Sequence, residues 1–187
     1  MTVFSKQGLI TELLDRTELI KASTQPFLRL SEDQLNAGPC PGMWSIAEIF
    51  GHLNIYNGAY IRSILSKITV APDVKGDAYR SGWIGDWVYK QAMPREDGSV
   101  FKRKAVRATR PPAGPLDGKE ILQKFLQQCD MLDDILRHSS TKDLQRIQIP
   151  FCFSRFMPLR LGDNLRYLMA HCERHLLQAH RVMEVVQ

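Results

Sequence analysis

The chain is expected to fold as an all-α protein, an antiparallel four-helix bundle with a long crossover between helices two and three. Three observations lead there. Apolar residues recur at i, i+3, i+4 and i+7 over four long stretches. Repeated Pro and Gly break the periodicity between Thr69 and Gly118. Outside that break, the one segment with an extended character is short, Ile147-Gln-Ile-Pro-Phe-Cys-Phe153. The 187 residues suffice for a substantial core and point to one domain spanning 1–187.

Helix one runs from Gly8 to about Leu30 on Leu9, Leu13, Leu14, Ile20 and Phe27, with fraying expected at Pro26. Ser31-Glu-Asp-Gln34 then offers an N-cap for a further turn. The turn-forming run Ala37-Gly-Pro-Cys-Pro-Gly42 ends any helix and delivers the chain to Trp44 and Ser45. Ser45 with Glu48 forms a capping-box pattern, so helix two starts at Ile46 and runs to Ile68. Its apolar stripe is Ile46, Ile49, Phe50, Leu53, Tyr56, Tyr60, Ile64 and Leu65, with His52 near the margin.

Within the crossover, Ser81–Ala92 has the pattern of a short helix, and a connection of this length usually has a function. Helix three spans Lys119 to His138 on Ile121, Leu122, Phe125, Leu126, Cys129, Leu132, Ile135 and Leu136. After the extended piece, closed by Pro158 and Gly162, helix four starts near Asp163 and continues almost to the C-terminus.

Composition narrows the function classes. A hydrophobic fraction of 44% against 24% charged residues excludes wholesale disorder. No stretch is long and apolar enough for a membrane span, and acidic Glu12 and Asp15 precede any long apolar run, which argues against a secretory signal. Cysteines 40, 129, 152 and 172 contain no C-x-x-C pair, so reduced thiols and a cytoplasmic location are expected. The net charge of +5 owes much to the run Lys102–Arg110. That run lacks the interleaved aromatics of a single-strand binding surface, so nucleic acid is not the expected partner.

The chemistry is carried by histidine. His171 and His175 lie four residues apart on helix four, roughly 40° apart around the axis with Cβ atoms about 5–6 Å apart, close enough for both rings to reach one ion. The competing reading is structural, since histidines late in a chain can serve a helix dipole or bond a carbonyl, and the pair lacks the Glu of H-E-x-x-H. His52 can join them only if helices two and four face each other, which spacing does not decide.

Trp44-Ser-Ile-Ala-Glu-Ile-Phe-Gly-His-Leu53, followed late in the chain by His171-x-x-x-His175-x-x-Gln178, resembles the DinB-like superfamily of metal-binding four-helix bundles. The resemblance extends across nearly the whole chain. It implies that His52, His171 and His175 together hold a divalent metal, zinc as first choice and nickel as second. Three imidazoles with positions left over make a catalytic type of site. It further implies activation of water or of a low-molecular-weight thiol, hence a metal-dependent hydrolase or a thiol-dependent S-transferase acting on a small-molecule substrate of anionic character. The alternative is a non-catalytic, metal-containing bundle that acts through dimerisation or a stress-linked interaction. A homodimer is expected either way.

Neighbouring residues have two roles open to each. Glu48 is either a partner for the second nitrogen of His52 or simply the capping box. Gln178 meets a metal-bound water or makes an interhelical hydrogen bond. Tyr56 lines the pocket entrance or the core, and Trp83 and Trp87 form a lid or face solvent. Cys172, turned about 100° from His171, is expected to be a buried thiol. His180 is expected at the surface or in a dimer contact, and His138 as a partner for the dipole of helix three. No residue stands out as a general base.

Overall fold

Four serine and aspartate side chains set the starts of four of the helices. Ser5 Oγ accepts from Gly8 N, Ser31 Oγ from Gln34 N and Ser45 Oγ from Glu48 N, while Asp117 Oδ1 accepts from Glu120 N. Each satisfies one of the amide donors that a helix start leaves orphaned. Ser31 and Ser45 complete capping boxes, in which Gln34 and Glu48 accept in return from the serine N–H groups. The computed structural model describes residues 2–94, 105–112, 114–151 and 154–187, with the side chains of 154–156 outside that description.

The order of elements is β1 (Val3–Ser5), α1 (Lys6–Thr24), α2 (Glu32–Asn36), α3 (Ile46–Ile68), β2 (Ala78–Arg80), α4 (Trp83–Ala92), α5 (Gly118–Ser139), β3 (Gln148–Phe151), β4 (Ser154–Arg160) and α6 (Leu161–Val186). The protein is predominantly helical with two small antiparallel strand pairs. The four long helices α1, α3, α5 and α6 correspond to the four expected from periodicity. Both α1 and α3 pack against both α5 and α6, and the core fills the space between them.

That core is aromatic at its centre. Phe50 meets Phe27 edge-on at 5.3 Å and Phe125 at 5.0 Å, the edge-to-face geometry that aligns ring edge with ring face. Leu13, Leu53, Leu132 and Leu168 surround them, all buried. On α3 the expected stripe is buried except for Leu65, which is half-buried, and it extends to Ile61 and Ile68. The first two turns of α3 are buried on most sides, because helices and the crossover cover them together.

Several boundaries differ from expectation, each for a local reason. Helix one stops at Thr24 and continues as a 3₁₀ turn over Gln25–Arg29, since Pro26 cannot donate and cannot continue the helix. The extended piece is one strand of a ribbon: β3 pairs with β4 in the register Gln148↔Arg160 and Pro150↔Pro158. Pro158 therefore lies within a strand rather than ending one, which a two-stranded ribbon tolerates because both strands are edges. The second ribbon, Val3–Ser5 with Ala78–Arg80, is too short to show a period. Helix four begins at Leu161, two residues early, where Leu161 and Gly162 donate backwards to Ile147 O and Leu144 O.

The expected short helix is α4, and a buried carboxylate seats it on α6. Asp163 accepts from Tyr79 Oη (2.6 Å) and Gly82 N (2.9 Å), and Gly85 packs directly on its side chain. Arg166 adds an ion pair to Asp86 at 2.8 Å and lies over the Tyr89 ring at 4.3 Å. No helix among the described residues is long and apolar enough to cross a membrane.

Gly85→Ala tests this seat. In an ordinary helix interior alanine would gain about 1 kcal/mol over glycine, but here the added Cβ would overlap the Asp163 carboxyl. The expected outcome in urea unfolding is a loss of about 1–3 kcal/mol; a gain would mean that α4 is not held against Asp163.

Candidate metal centre

Helix α3 brings His52 against the face of α6 that carries His171 and His175, the juxtaposition that spacing left open. The ring centroids are 5.4 Å apart for His52 and His171, 4.9 Å for His52 and His175, and 4.6 Å for His171 and His175. One nitrogen from each ring can be chosen so that all lie within 4.8 Å of one another. His52 and His171 are 4% and 7% exposed, and His175, half-buried as a whole residue, is buried with them at the cluster.

Packing sets the ring positions. Tyr56, one turn after His52, stacks on His171 with centroids 4.1 Å apart and donates its hydroxyl to Tyr167 Oη at 2.9 Å. Trp44 lies 5.1 Å from His52. Next to His171, Cys172 is buried and faces Asn57 of α3, whose Nδ2 donates to Sγ at 3.5 Å. Burial pushes this thiol up to about 12, although the Asn57 bond opposes the shift.

The outward nitrogens are occupied in two of the three rings. His52 Nδ1 lies 2.7 Å from the carbonyl oxygen of Thr109. A carbonyl only accepts, so Nδ1 carries the proton and the lone pair is on Nε2. His175 Nδ1 donates in the same way to Gln178 Oε1 at 3.0 Å. This is the usual arrangement around a ligating imidazole, one nitrogen held by an acceptor and the other left free. His171 Nδ1 is buried and has no hydrogen-bond partner among the described residues, and such a nitrogen costs about 1–3 kcal/mol unless something engages it.

Protonation is disfavoured at all three rings. Burial lowers His52, with the Thr109 bond opposing and Arg174 adding to the shift. Burial, then the charges of His175, His52 and Arg174, hold His171 well below the ordinary histidine range. Burial and His52 bring His175 down to about 3. Three neutral, convergent imidazoles, one with an orphaned nitrogen, fit a divalent cation, which needs deprotonated ligands.

Other expectations resolve individually. Glu48 is the capping box, with Oε2 on Ser45 N at 2.9 Å, and Thr109 takes the role offered to it. Gln178 bonds His175 within its own helix rather than across helices. Tyr56 is core. His180 is no surface residue, because its Nε2 is 2.9 Å from Ser23 Oγ and its ring 4.7 Å from Phe27, tying α6 to α1. Trp83 and Trp87, 72% and 51% exposed, face solvent on α4, so no lid forms from them. His138 lies exposed in the last turn of α5, as the dipole reading requires. Both His171 and His175 precede the end of α6 by several turns, which leaves them out of reach of its C-terminal dipole. Of the basic run, Lys102–Lys104 lie outside the described residues, while Arg107 and Arg110 are exposed. Cys152 also lies outside the described residues.

The partner of the histidine cluster that sequence reasoning missed is Thr109. It acts through its backbone carbonyl, which carries no side-chain signal. The available hint was Gly51, an unexplained glycine inside a strong helix and next to His52.

The sequence model of the DinB superfamily matches residues 17–179, a span containing all three histidines. No curated protein and no solved structure matches the chain.

The neutral rings predict the acid response of the metal-free protein. The unfolded chain takes up protons as the pH falls through about 6.5, whereas folded His175 does so only near 3. Stability is therefore unaffected by these groups above about pH 6.5 and falls below it, by up to ~1.4 kcal/mol per pH unit for each ring. Unfolding titrations of the wild type and His175→Gln should show a shallower decline in the variant between pH 6 and 4; equal slopes would show that His175 is readily protonated in the folded state.

Proposed function

Because the chain belongs to the DinB superfamily, we propose that it is a divalent-metal-dependent enzyme whose ion is held by His52, His171 and His175. On this reading the protein is one domain, an antiparallel four-helix bundle acting in the cytoplasm as a homodimer. The observation that carries the proposal is the convergence of three uncharged imidazoles, two of them with the opposite nitrogen tied to an acceptor.

Zinc is the first choice of metal and nickel the second, since both suit imidazole ligands. A cation there supplies Lewis acidity, the property that turns water or a low-molecular-weight thiol into a nucleophile at neutral pH. The reaction proposed is thus hydrolysis or thiol S-transfer on a small molecule. His52, His171 and His175 bind and orient the ion, and Thr109 and Gln178 hold the tautomers. Tyr56 and Tyr167 exclude water on the His171 side. Arg107 and Arg110 are exposed on the segment that reaches His52, which supports an anionic substrate.

The test is elemental mass spectrometry on protein purified without an affinity metal column. About one equivalent of metal is expected in the wild type, with a loss of most of it in each of His52→Ala, His171→Ala and His175→Ala. Metal-dependent turnover over a panel of thiol acceptors and hydrolysable esters and amides would establish catalysis. Stoichiometric metal without any turnover would leave the alternative, a metal-containing bundle that works through interaction. No metal, even after zinc or nickel is supplied, would overturn the proposal.

A further inference from the structure

The crossover passes over α3 where the helix has no side chain to repel it. A Cβ on Gly51 would come 3.2 Å from Pro111 Cβ and 3.9 Å from Leu116 Cδ1 and Ile121 Cδ1, so the bare backbone lets Pro111 settle against the helix. Immediately before Pro111, residues Arg107–Thr109 form a 3₁₀ turn. Thr109 N and Oγ1 both donate to Val106 O at 2.9 Å, and Arg110 N donates to Arg107 O at 3.3 Å. Arg110 is extended, as a residue before proline prefers. The turn is therefore fixed internally, and its Thr109 carbonyl points at His52 Nδ1.

We propose that Gly51 and the turn Arg107–Thr109 are positioning residues for the three-histidine site, so that docking of this crossover segment and occupancy by the metal strengthen each other. This rests on the metal reading above. The hydrogen bond from Nδ1–H to Thr109 O selects the tautomer that offers Nε2 to the ion. Once Nε2 is bound to a cation, electron density leaves the ring, Nδ1–H becomes a stronger donor, and its bond to the carbonyl tightens. Linkage requires the two effects to be equal: the factor by which docking raises metal affinity is the factor by which metal stabilises docking.

The experiment uses the full chain with Zn²⁺ as probe and has two readouts independent of activity. Amide hydrogen exchange across residues 105–110 reports docking, through the Thr109 and Arg110 amides that close the turn. Competition against a chromophoric chelator reports affinity. Saturating Zn²⁺ is expected to slow exchange in the wild type by about tenfold or more, and Gly51→Leu, which displaces Pro111, is expected to lose ~10–100-fold in affinity and to exchange at one rate with or without metal. Should Gly51→Leu fail to fold, Gly51→Ala carries the test, with a smaller loss of affinity expected from its single added carbon. Tight Zn²⁺ binding with unchanged exchange in the wild type, or undiminished affinity in a folded variant, overturns the positioning role and leaves the metal site standing. Failure of the wild type to bind Zn²⁺ overturns the metal reading itself.

Discussion

Three imidazoles share one largely buried space, which disfavours the charged, doubly protonated form of each. Burial penalises each charge, and each ring would repel the charge of the next. Much of the surrounding structure serves this constraint. The Thr109 carbonyl and the Gln178 amide absorb the one N–H that a neutral ring must keep. Tyr56 lies flat on His171 and closes it from solvent, and the Tyr56–Tyr167 hydroxyl pair satisfies the polar ends of that wall internally. The face-to-face contact of α3 and α6 is thus a chemical as well as a packing interface.

The crossover is anchored at both ends by polar contacts. At its start, Asp163 gathers Tyr79 and Gly82 and seats α4 along α6. At its end, Glu32 of the short helix α2 accepts from Gly118 N and Lys119 N, joining α2 to the start of α5. Between them Pro111 rests on Gly51. A long connection arranged in this way brings a backbone carbonyl to the histidine cluster, a task that no side chain in α3 performs.

What was legible in the chain follows from physical range. The helices and the ends of α3 could be read because periodicity and capping boxes act over a few residues. The pair His171 and His175 could be read because one helical turn fixes their separation. Helices two and four facing each other was not in the spacing; it came from family resemblance, and the geometry agrees. Of the ribbons only β3 was legible, as an extended piece; its partner β4 was hidden by the proline at 158, and β1 and β2 by their three-residue length. Thr109 and the Ser23 contact of His180 were illegible because they join residues 57 and 157 positions apart. For Glu48 the capping geometry was visible, and the structure adds that Thr109 rather than Glu48 meets His52 Nδ1.

Cys172 carries a consequence for durability. Its thiol adjoins His171 of the cluster, yet it faces Asn57, and burial raises it to about 12, which favours the protonated form. Oxidants and alkylating electrophiles attack the thiolate, and at neutral pH almost none is present. The cluster of imidazoles therefore has beside it a sulfur held as the unreactive thiol, so peroxides and electrophiles that consume cysteine thiolates find little target at this position.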